Sequence, residues 1–391
     1  MRVGILDYAN DGLRSGVEYY TLGVIRCLAS YTDEIELVVY TNDPETVSNV
    51  HPRISVQKIP GRRFKAKRLW WQHVCLPRQA EVDGLDVLHC PAYVMPFRRC
   101  RVPCVITVHD LHAVTSPQWC SLGNRLHYGF ALGQSLRRAA GVIAVSEDTR
   151  EAILHHFGAD VRAGREDIRV IPPGIDNIFT GVTDPADDAD CRRRYSLPDR
   201  YILHVGNVEP RKNIPAAVEA VRLLRQRGIS HTLVFAGKTG RASAPLIRVL
   251  SDARNEGIVQ TLGYVARADL PALYRMAEAV VCVAHHEGFG FPALEAMACG
   301  TPVISSMTGA MGKTLGDAAL AVDAASAPSI AEALMVVIND AALRAKLRTA
   351  GRDRAADFRW EVSAGELRQI YRIACQKHAQ KDGLNFHEKF S

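Results

Sequence analysis

The 391-residue sequence has no apolar run that approaches the roughly 20 residues a transmembrane helix needs. It also lacks the apolar core and cleavage site of a signal peptide, because residues 1–7 pass straight into a predicted strand. Its ten cysteines include no C-x-x-C pair and no regular spacing, which argues against a disulfide framework and against a zinc site. These absences predict a cytoplasmic protein with reduced thiols.

Residues 46–80 contain eight Lys and Arg and no acidic residue. This stretch therefore carries more positive charge than the whole chain, whose net charge is +6. Residues 61–71 place several of these cations beside Trp70 and Trp71. Such a stretch suits an anionic membrane surface, here the inner face of the membrane, or a phosphate-bearing acceptor. The simpler alternative is a solvated basic loop that leads into a helix with core tryptophans. No nucleic-acid-binding motif accompanies the charge.

Strand and helix patterns alternate from the first residue to about residue 322. Together with the length, this predicts an α/β protein with two doubly wound, mainly parallel sheets that face a central cleft. An acidic, proline-containing stretch separates the two series. The predicted organisation is a first Rossmann-like domain at residues 1–178, a linker at 179–199, a second such domain at 200–360 and a final helix at 361–391.

The most informative stretch lies between two buried strand candidates, at residues 285–305. Pro292 suits the first position of a helix and Gly300 the position after its end. The preceding loop therefore joins a strand end to a helix start, which is where a doubly wound sheet binds ligands. Gly288 and Gly290 let backbone N–H groups approach an anion. This loop is predicted to bind phosphate.

Charged side chains flank that loop. Glu287 directly follows the buried strand, and Glu295 lies one turn into the helix, where an acid is also common simply because it complements the helix dipole. Arg211 and Lys212 follow the first strand of the second series, at the same predicted sheet edge. Two such cations can hold a diphosphate and stabilise a departing phosphate without a metal. The alternative for them is an ordinary surface pair.

Histidines also occur at strand ends. His109 ends a buried strand of the first series, so it is expected to enter the cleft, where it can bond a hydroxyl or act as a base. His285 and His286 precede Glu287, but adjacent strand residues point to opposite sides and a third ligand is not evident. We therefore expect no metal site. No activated nucleophile is evident either.

A nicotinamide-dependent dehydrogenase is the main rival from another enzyme class. The run from Gly288 to Ala293 fits the G-x-G-x-x-A fingerprint after a strand. That fingerprint needs an acid about 20 residues further on to hold the adenosine ribose. No acid occurs between residue 305 and Asp317. The sequence therefore disfavours this rival.

The residues from Glu287 to Ile304 resemble the signature of the family-four (group 1) retaining glycosyltransferases of GT-B fold. The family's E-x7-E motif matches Glu287 and Glu295. Further similarities lie at residues 107–111, 145–147, 171–176, 206–213, 262–265 and 269–274. Motifs of the first half most resemble bacterial mannosyltransferases of polysaccharide assembly.

The resemblance implies retaining transfer of a hexose from a nucleotide-diphosphate sugar to a glycan or lipid-linked acceptor in cell-surface polysaccharide biosynthesis. Mannose from GDP-mannose is the favoured donor and UDP-sugars come next, with no metal or other cofactor required. The first domain would bind the acceptor and the second the donor, and the final helix would cross back to the first domain. A non-catalytic sugar-nucleotide-binding subunit, or phosphorylase or epimerase chemistry on the same fold, are the alternatives left open.

The resemblance also implies roles for individual residues. Glu295 would bind the ribose hydroxyls, and Glu287 the transferred sugar. The diphosphate would bind Arg211 and Lys212, with His109 on the opposite face of the sugar. The other implied donor contacts are Gly206, Asn207, Tyr264, Gly288, Phe289 and Gly290. Gly16, after Arg14 and Ser15, would line the acceptor side.

Overall fold

The computed structural model describes residues 1–8, 16–31, 33–61, 65–116, 122–158, 161, 168–181, 184–238 and 244–381. The chain divides into two units, one made of residues 1–174 with 359–391 and the other of residues 175–358.

The described residues of the first unit form a seven-stranded sheet in the order β3-β2-β1-β4-β5-β6-β7, and each neighbouring pair is parallel. Its strands are β1 (Arg2–Asp7), β2 (Glu36–Thr41), β3 (Ser55–Lys58), β4 (Val87–Cys90), β5 (Cys104–Val108), β6 (Gly141–Ala144) and β7 (Ile168–Val170). Its helices up to β7 are α1 (Gly16–Ala29), α2 (Pro44–Ser48), α3 (Lys65–Trp70), α4 (Leu76–Val82), α5 (His112–Thr115), α6 (Leu122–Arg138) and α7 (Glu147–Phe157), with a π-helix at Trp71–Cys75.

In the described part of the second unit, a six-stranded sheet has the order β10-β9-β8-β11-β12-β13, again with parallel neighbours. Its strands are β8 (Tyr201–Val205), β9 (Thr232–Ala236), β10 (Val259–Gly263), β11 (Ala279–Cys282), β12 (Val303–Ser305) and β13 (Leu320–Ala321). Its helices are α8 (Pro185–Tyr195), α9 (Ile214–Gln226), α10 (Ala244–Asn255), α11 (Leu270–Met276), α12 (Phe291–Ala298), α13 (Met311–Leu315), α14 (Ala327–Asn339) and α15 (Ala341–Ala356).

Both sheets are doubly wound, as their apolar strands predict. The core strands are almost entirely buried, because helices cover both faces of each sheet. In each sheet the strand order reverses once, between β1 and β4 in the first unit and between β8 and β11 in the second. Such a reversal leaves a crevice at the carboxyl ends of the two strands, where ligands bind in this type of sheet.

The stretch at residues 179–199 differs from the expected linker because it contains α8, which belongs to the second unit. The Asp184 side chain caps this helix by accepting a hydrogen bond from the Ala186 N–H at 2.8 Å. Its neighbour Pro185 occupies the first helical position. An Asp-Pro pair is equally common in turns, so its helix-starting role was missed. Asp188 pairs with Arg275 of α11, which fixes α8 to the second unit.

The last helix, α16 (Trp360–Lys381), belongs to the first unit, as the resemblance implied. Tyr371 is fully buried, and its hydroxyl lies 2.8 Å from His89 Nδ1 in β4. Trp360 packs against α1 at Gly23, where an added Cβ would come within 2.0 Å of the indole ring. No helix in the described ranges combines the length and the apolarity needed to cross a membrane.

The contact between Gly23 and Trp360 provides a test of this packing. We expect Gly23→Ala to lower the free energy of unfolding by about 1–3 kcal/mol, because the new methyl group overpacks against the indole. Gly365→Ala is the matched control, since Gly365 lies in α16 with open space around an added Cβ. It should stabilise the protein by about 0.5–1 kcal/mol through helix propensity. Urea unfolding measures both, and equal effects of the two substitutions would contradict the packing.

Candidate active site

Two loops meet at the strand-order reversal of the second sheet. One follows β8 at residues 206–213, and the other follows β11 at residues 283–290. The strands are neighbours in the sheet although β9 and β10 separate them in the chain. The His285 N–H donates to the Arg211 carbonyl at 2.8 Å, and Arg211 Nη1 donates to the His286 carbonyl at 3.3 Å. These two hydrogen bonds join the loops.

The two loops also form ion pairs with each other. Glu287 Oε2 lies 3.0 Å from Arg211 Nη1, and its other carboxylate oxygen pairs with the Lys212 ammonium. These side chains are largely buried. Arg211 also donates to Glu209 at 2.9 Å. The structure thus brings together three residues that the sequence predicted for one site.

The cations control the protonation of Glu287. Burial alone would raise its pKa, but Lys212 and then Arg211 outweigh burial and lower the pKa to about 2. Glu287 is therefore ionised at neutral pH. It can accept hydrogen bonds from hydroxyl groups, but it has no proton to donate to a leaving group.

α12 starts at Phe291, one residue before Pro292, which was predicted as the first helical position. Gly290 caps the helix in the left-handed conformation with φ of 96°, and an added Cβ there would lie 2.3 Å from Met311 Sδ. A residue with a side chain could not take this place without moving Met311. Within the described residues, no side chain caps this helix start, and the helix ends at Ala298 with Gly300 just beyond. Its first turn therefore offers N–H groups and a positive dipole end to an anion.

A small pocket lies beside these charges. Its lining combines the two loops, the end of β8 and the start of α12. The lining residues are His204, Val205, Lys212, Cys282, Ala284, Glu287, Gly290, Pro292, Ala293 and Met311. Charged groups and small or apolar side chains therefore share one cavity.

Glu295 forms a second cluster, on α12. Its side chain is buried, and its two oxygens accept hydrogen bonds from Tyr274 Oη at 2.9 Å and Arg267 Nη1 at 3.0 Å. Arg267 also pairs with Asp176 at 2.8 Å and lies over the Phe179 ring. Burial raises the pKa of Glu295, against the opposing effect of Arg267. Each carboxylate oxygen can accept two hydrogen bonds, so capacity for a ligand hydroxyl remains.

Arg267 and Tyr274 were not predicted as site residues. Arg267 follows the turn at residues 262–265, and Tyr274 lies in α11, but neither position carries a pattern that pairs it with an acid on α12. Tyr264, which was predicted, lies just after β10, and the Lys238 ammonium sits 4.8 Å from its ring centre. Lys238 is a further cation that sequence reasoning missed.

The other residues predicted to contact the nucleotide-sugar donor differ in whether their backbone or their side chain is available for it. Gly206 has φ of 149°, a conformation that suits glycine, and the Lys212 side chain passes over it. Asn207 follows it in the same loop. The Phe289 side chain is buried against Phe291, with ring centres 5.1 Å apart, so it anchors the loop and leaves ligand binding there to the backbone of residues 288–290.

His109 and Gly16 belong to the first unit. His109 directly follows β5 and is buried, with Nε2 2.7 Å from the Pro91 carbonyl and the Tyr20 ring edge-on at 4.7 Å. A carbonyl oxygen only accepts, so Nε2 carries the proton and Nδ1 the lone pair. Burial lowers the pKa of His109. Gly16 begins α1 and is exposed, whereas residues 9–15, with Arg14 and Ser15, lie outside the described residues.

Metal binding has no candidate cluster in the described parts of the chain. They contain no group of three or more His, Cys, Asp or Glu side chains that could hold an ion. Asp188 and Asp190, which superficially form a D-x-D motif, pair instead with Arg275 and Arg193.

The ion pair between the loops is open to a stability test. Lys212→Met should lower the free energy of unfolding by about 3 kcal/mol, because it leaves Glu287 buried with one cation fewer. Lys212→Met combined with Glu287→Gln should recover much of that loss, because the buried charge is then removed as well. Urea unfolding of the four proteins of this cycle measures the coupling, and additive effects would contradict the pairing.

The same pair has a defined pH dependence. The pKa of Glu287 is lowered from its ordinary 4.5 to about 2, so its stabilising effect is complete above pH 4.5 and is lost as the pH falls toward 2. The stability difference between the wild type and Glu287→Gln should follow this course.

Comparison with known proteins identifies the family. The family described as Glycosyl transferases group 1 matches residues 192–354, and Glycosyltransferase Family 4 matches residues 14–177. The O-antigen chain mannosyltransferase B of Escherichia coli is 30% identical over 292 residues, which cover 73% of this chain and 74% of that protein. A D-inositol 3-phosphate glycosyltransferase of Nocardiopsis dassonvillei is 28% identical over 403 residues, covering 95% and 92%.

Solved structures support the same fold. Sucrose-phosphate synthase from Thermosynechococcus elongatus matches with a TM-score of 0.74 at 23% identity, covering 97% of this chain and 99% of that one. Anabaena HepE in complex with UDP-glucose matches with a TM-score of 0.72 at 20% identity, covering 94% and 98%. The predicted GT-B fold is confirmed. The chain therefore belongs to the group 1, family-four glycosyltransferases and is a glycosyltransferase.

Proposed function

We propose that this enzyme transfers a hexose, with retention of anomeric configuration, from a nucleotide-diphosphate sugar to a glycan or lipid-linked acceptor in cell-surface polysaccharide biosynthesis. Mannose from GDP-mannose is the favoured donor. The second unit binds the donor and the first binds the acceptor. No metal takes part in this proposal.

The observation that carries the proposal is the juxtaposition of two cations with a helix start. Arg211 and Lys212 lie on the loop after β8, and Gly290 caps the start of α12 after the neighbouring strand β11. Cationic side chains and N-terminal helix amides are the groups that bind phosphate oxygens. Their arrangement supports binding of a diphosphate and stabilisation of the charge that grows on it as the sugar leaves.

The electrostatics of Glu287 argue against a covalent glycosyl-enzyme intermediate. Its carboxylate is held by Lys212 and Arg211, so it is a poor nucleophile as well as an unprotonated group. In the proposed reaction the acceptor hydroxyl attacks from the face that the phosphate leaves, and the leaving phosphate takes its proton. Glu287 then orients the sugar by accepting bonds from its hydroxyls, and Glu295 does the same for the ribose.

The choice of donor rests on the relatives. The Escherichia coli relative is an O-antigen chain mannosyltransferase, which favours mannose. HepE was solved with UDP-glucose, so a UDP-sugar is the second candidate. A non-catalytic subunit is the less favoured alternative, because Arg211, Lys212, Glu287 and Glu295 are all present in this chain.

A thermal-shift panel with GDP, UDP, ADP, GDP-mannose and UDP-glucose tests the donor. GDP and GDP-mannose at 100 times their Kd should add about 2.7 kcal/mol to the apparent stability of the wild type. Glu295→Gln should reduce this effect by weakening the ribose contact while keeping an acceptor for Tyr274. Glu332→Gln, a change at an exposed acid of α14, is the matched control and should bind like the wild type.

If only UDP and UDP-glucose stabilise the protein, its donor is a UDP-sugar and not GDP-mannose. Stabilisation by none of the nucleotides would contradict the proposal. Product analysis by NMR with a fitting acceptor then decides the anomeric configuration, and an inverted product would overturn the retaining mechanism.

We further propose that the first unit docks on the inner face of an anionic membrane, where a lipid-linked acceptor lies. Trp70, Phe97 and Phe130 expose 58%, 41% and 65% of their surface. The Phe97 ring lies 6.4 Å from that of Phe130 and stacks on His73, three residues after Trp70. Exposed cations within four positions of Trp70 or Phe97 in the sequence suit anionic lipid headgroups. They are Lys67, Arg98, Arg99 and Arg101.

The predicted basic stretch at residues 61–71 thus contributes Lys67 and Trp70, whereas its residues 62–64 lie outside the described ranges. Sedimentation with vesicles of phosphatidylglycerol and phosphatidylcholine tests the membrane contact. Trp70→Ser combined with Phe130→Ser should reduce binding to anionic vesicles several-fold, because the aromatic anchors are lost. Ile247→Ser, at an exposed apolar residue of the second unit, should not. Equal binding of all three proteins would refute this contact.

A further inference from the structure

His204 is a buried histidine in the candidate site for which neither the sequence nor the family comparison supplied a role. It is the fourth residue of β8 and is 3% exposed. Its side chain lines the same pocket as Lys212 and Glu287. A polar ring at this place in a parallel strand is costly unless its two nitrogens find partners.

The ring has one defined tautomer. Nδ1 lies 3.0 Å from the Val281 carbonyl in the neighbouring strand, and a carbonyl oxygen only accepts, so Nδ1 carries the proton. The Phe235 ring stacks on the imidazole at 5.1 Å, nearly parallel to it. Burial, and then Lys212, lower the pKa of His204 to about 4, so the ring is neutral at pH 7. Nε2 therefore holds a lone pair.

Within the described residues, Nε2 of His204 is buried and has no hydrogen-bond partner. The donor with spare capacity in the same pocket is Lys212, whose ammonium has three N–H groups and gives one to Glu287. The Lys212 side chain passes over Gly206, two residues after His204. The unpaired acceptor of His204 and the Lys212 ammonium, which has N–H groups to spare, thus line the same pocket.

We propose that His204 is a positioning residue for Lys212. Its Nε2 accepts a hydrogen bond from one bound water that the Lys212 ammonium also contacts, and so directs that cation toward the diphosphate of the donor. Glu287 and this water then hold two of the three ammonium protons, and the third points to phosphate. This inference rests on the proposed function, in that Lys212 is taken to bind the donor diphosphate.

A purely structural role makes a different prediction. If His204 serves only to anchor the Val281 carbonyl, a side chain that keeps the donor at Nδ1 should suffice. Asparagine keeps a donor near the Nδ1 position and loses the acceptor at Nε2. Glutamine reaches the Nε2 position with its amide oxygen. The pair His204→Asn and His204→Gln therefore separates the two roles.

The experiment is calorimetric titration of wild type, His204→Asn and His204→Gln with inorganic diphosphate and with GDP or UDP, alongside steady-state kinetics. His204→Asn should weaken diphosphate and nucleotide binding about tenfold, the scale of one hydrogen bond to a charged group. His204→Gln should stay within about threefold of the wild type. The loss should appear in the donor KM and in kcat/KM, and thermal melts of the free proteins should show that each variant is folded.

A coupling measurement links the effect to Lys212. In a Lys212→Met background, His204→Asn should cause no further loss of affinity, because the group it positions is gone. Equal binding by wild type and His204→Asn, or full additivity with Lys212→Met, would overturn the proposal. If His204→Asn does not fold, the same cycle is measured with His204→Phe, which keeps the ring that stacks on Phe235.

The inorganic probe separates this inference from the proposed function. If the wild type binds inorganic diphosphate but no nucleotide, the nucleotide-sugar donor is refuted. The role of His204 can still be tested by the binding of diphosphate to the His204 variants. A wild type that binds neither would overturn both.

Discussion

The pairing of Glu287 with Arg211 and Lys212 is the interaction on which the candidate site depends. A buried carboxylate without these cations would take up a proton, and two buried cations without the carboxylate would repel each other. The pair also joins the loops after β8 and β11, which are distant in the chain and adjacent in the sheet. A diphosphate that enters this site brings negative charge to cations already fixed in direction, so little of the binding free energy is needed to order them.

The helix that carries this arrangement is held at its start and in its middle. Gly290 and Met311 fix the start of α12, and Glu295 links its middle to Arg267 and Tyr274. Arg267 in turn pairs with Asp176, at the beginning of the second unit. Separating two buried, paired charges costs free energy because each is left uncompensated. These contacts therefore favour a single position of the helix start. A fixed helix start is what an anion site made of backbone N–H groups requires.

Much of the fold around α12 could be predicted from local sequence rules. The Pro292 and Gly300 signals predicted the limits of α12 to within one residue, and the strand pattern before Glu287 predicted its place at the sheet edge. The partners of buried charges could not be predicted in this way. Arg267 pairs with Glu295, 28 positions further along the chain, and the lone pair of His204 becomes evident only when the strand neighbour Val281 is known. Periodicity identifies the elements, whereas these pairings depend on how the elements pack.

In the proposed function, Lys212 and Arg211 bind the diphosphate of a nucleotide donor. Phosphorus NMR of GDP and UDP titrated with the protein tests it most directly, because the α and β phosphorus nuclei report separately. We expect the β resonance of the preferred nucleotide to shift with the wild type and to shift much less with Lys212→Met. An unchanged β resonance with the wild type, or an equal shift with both proteins, would contradict it.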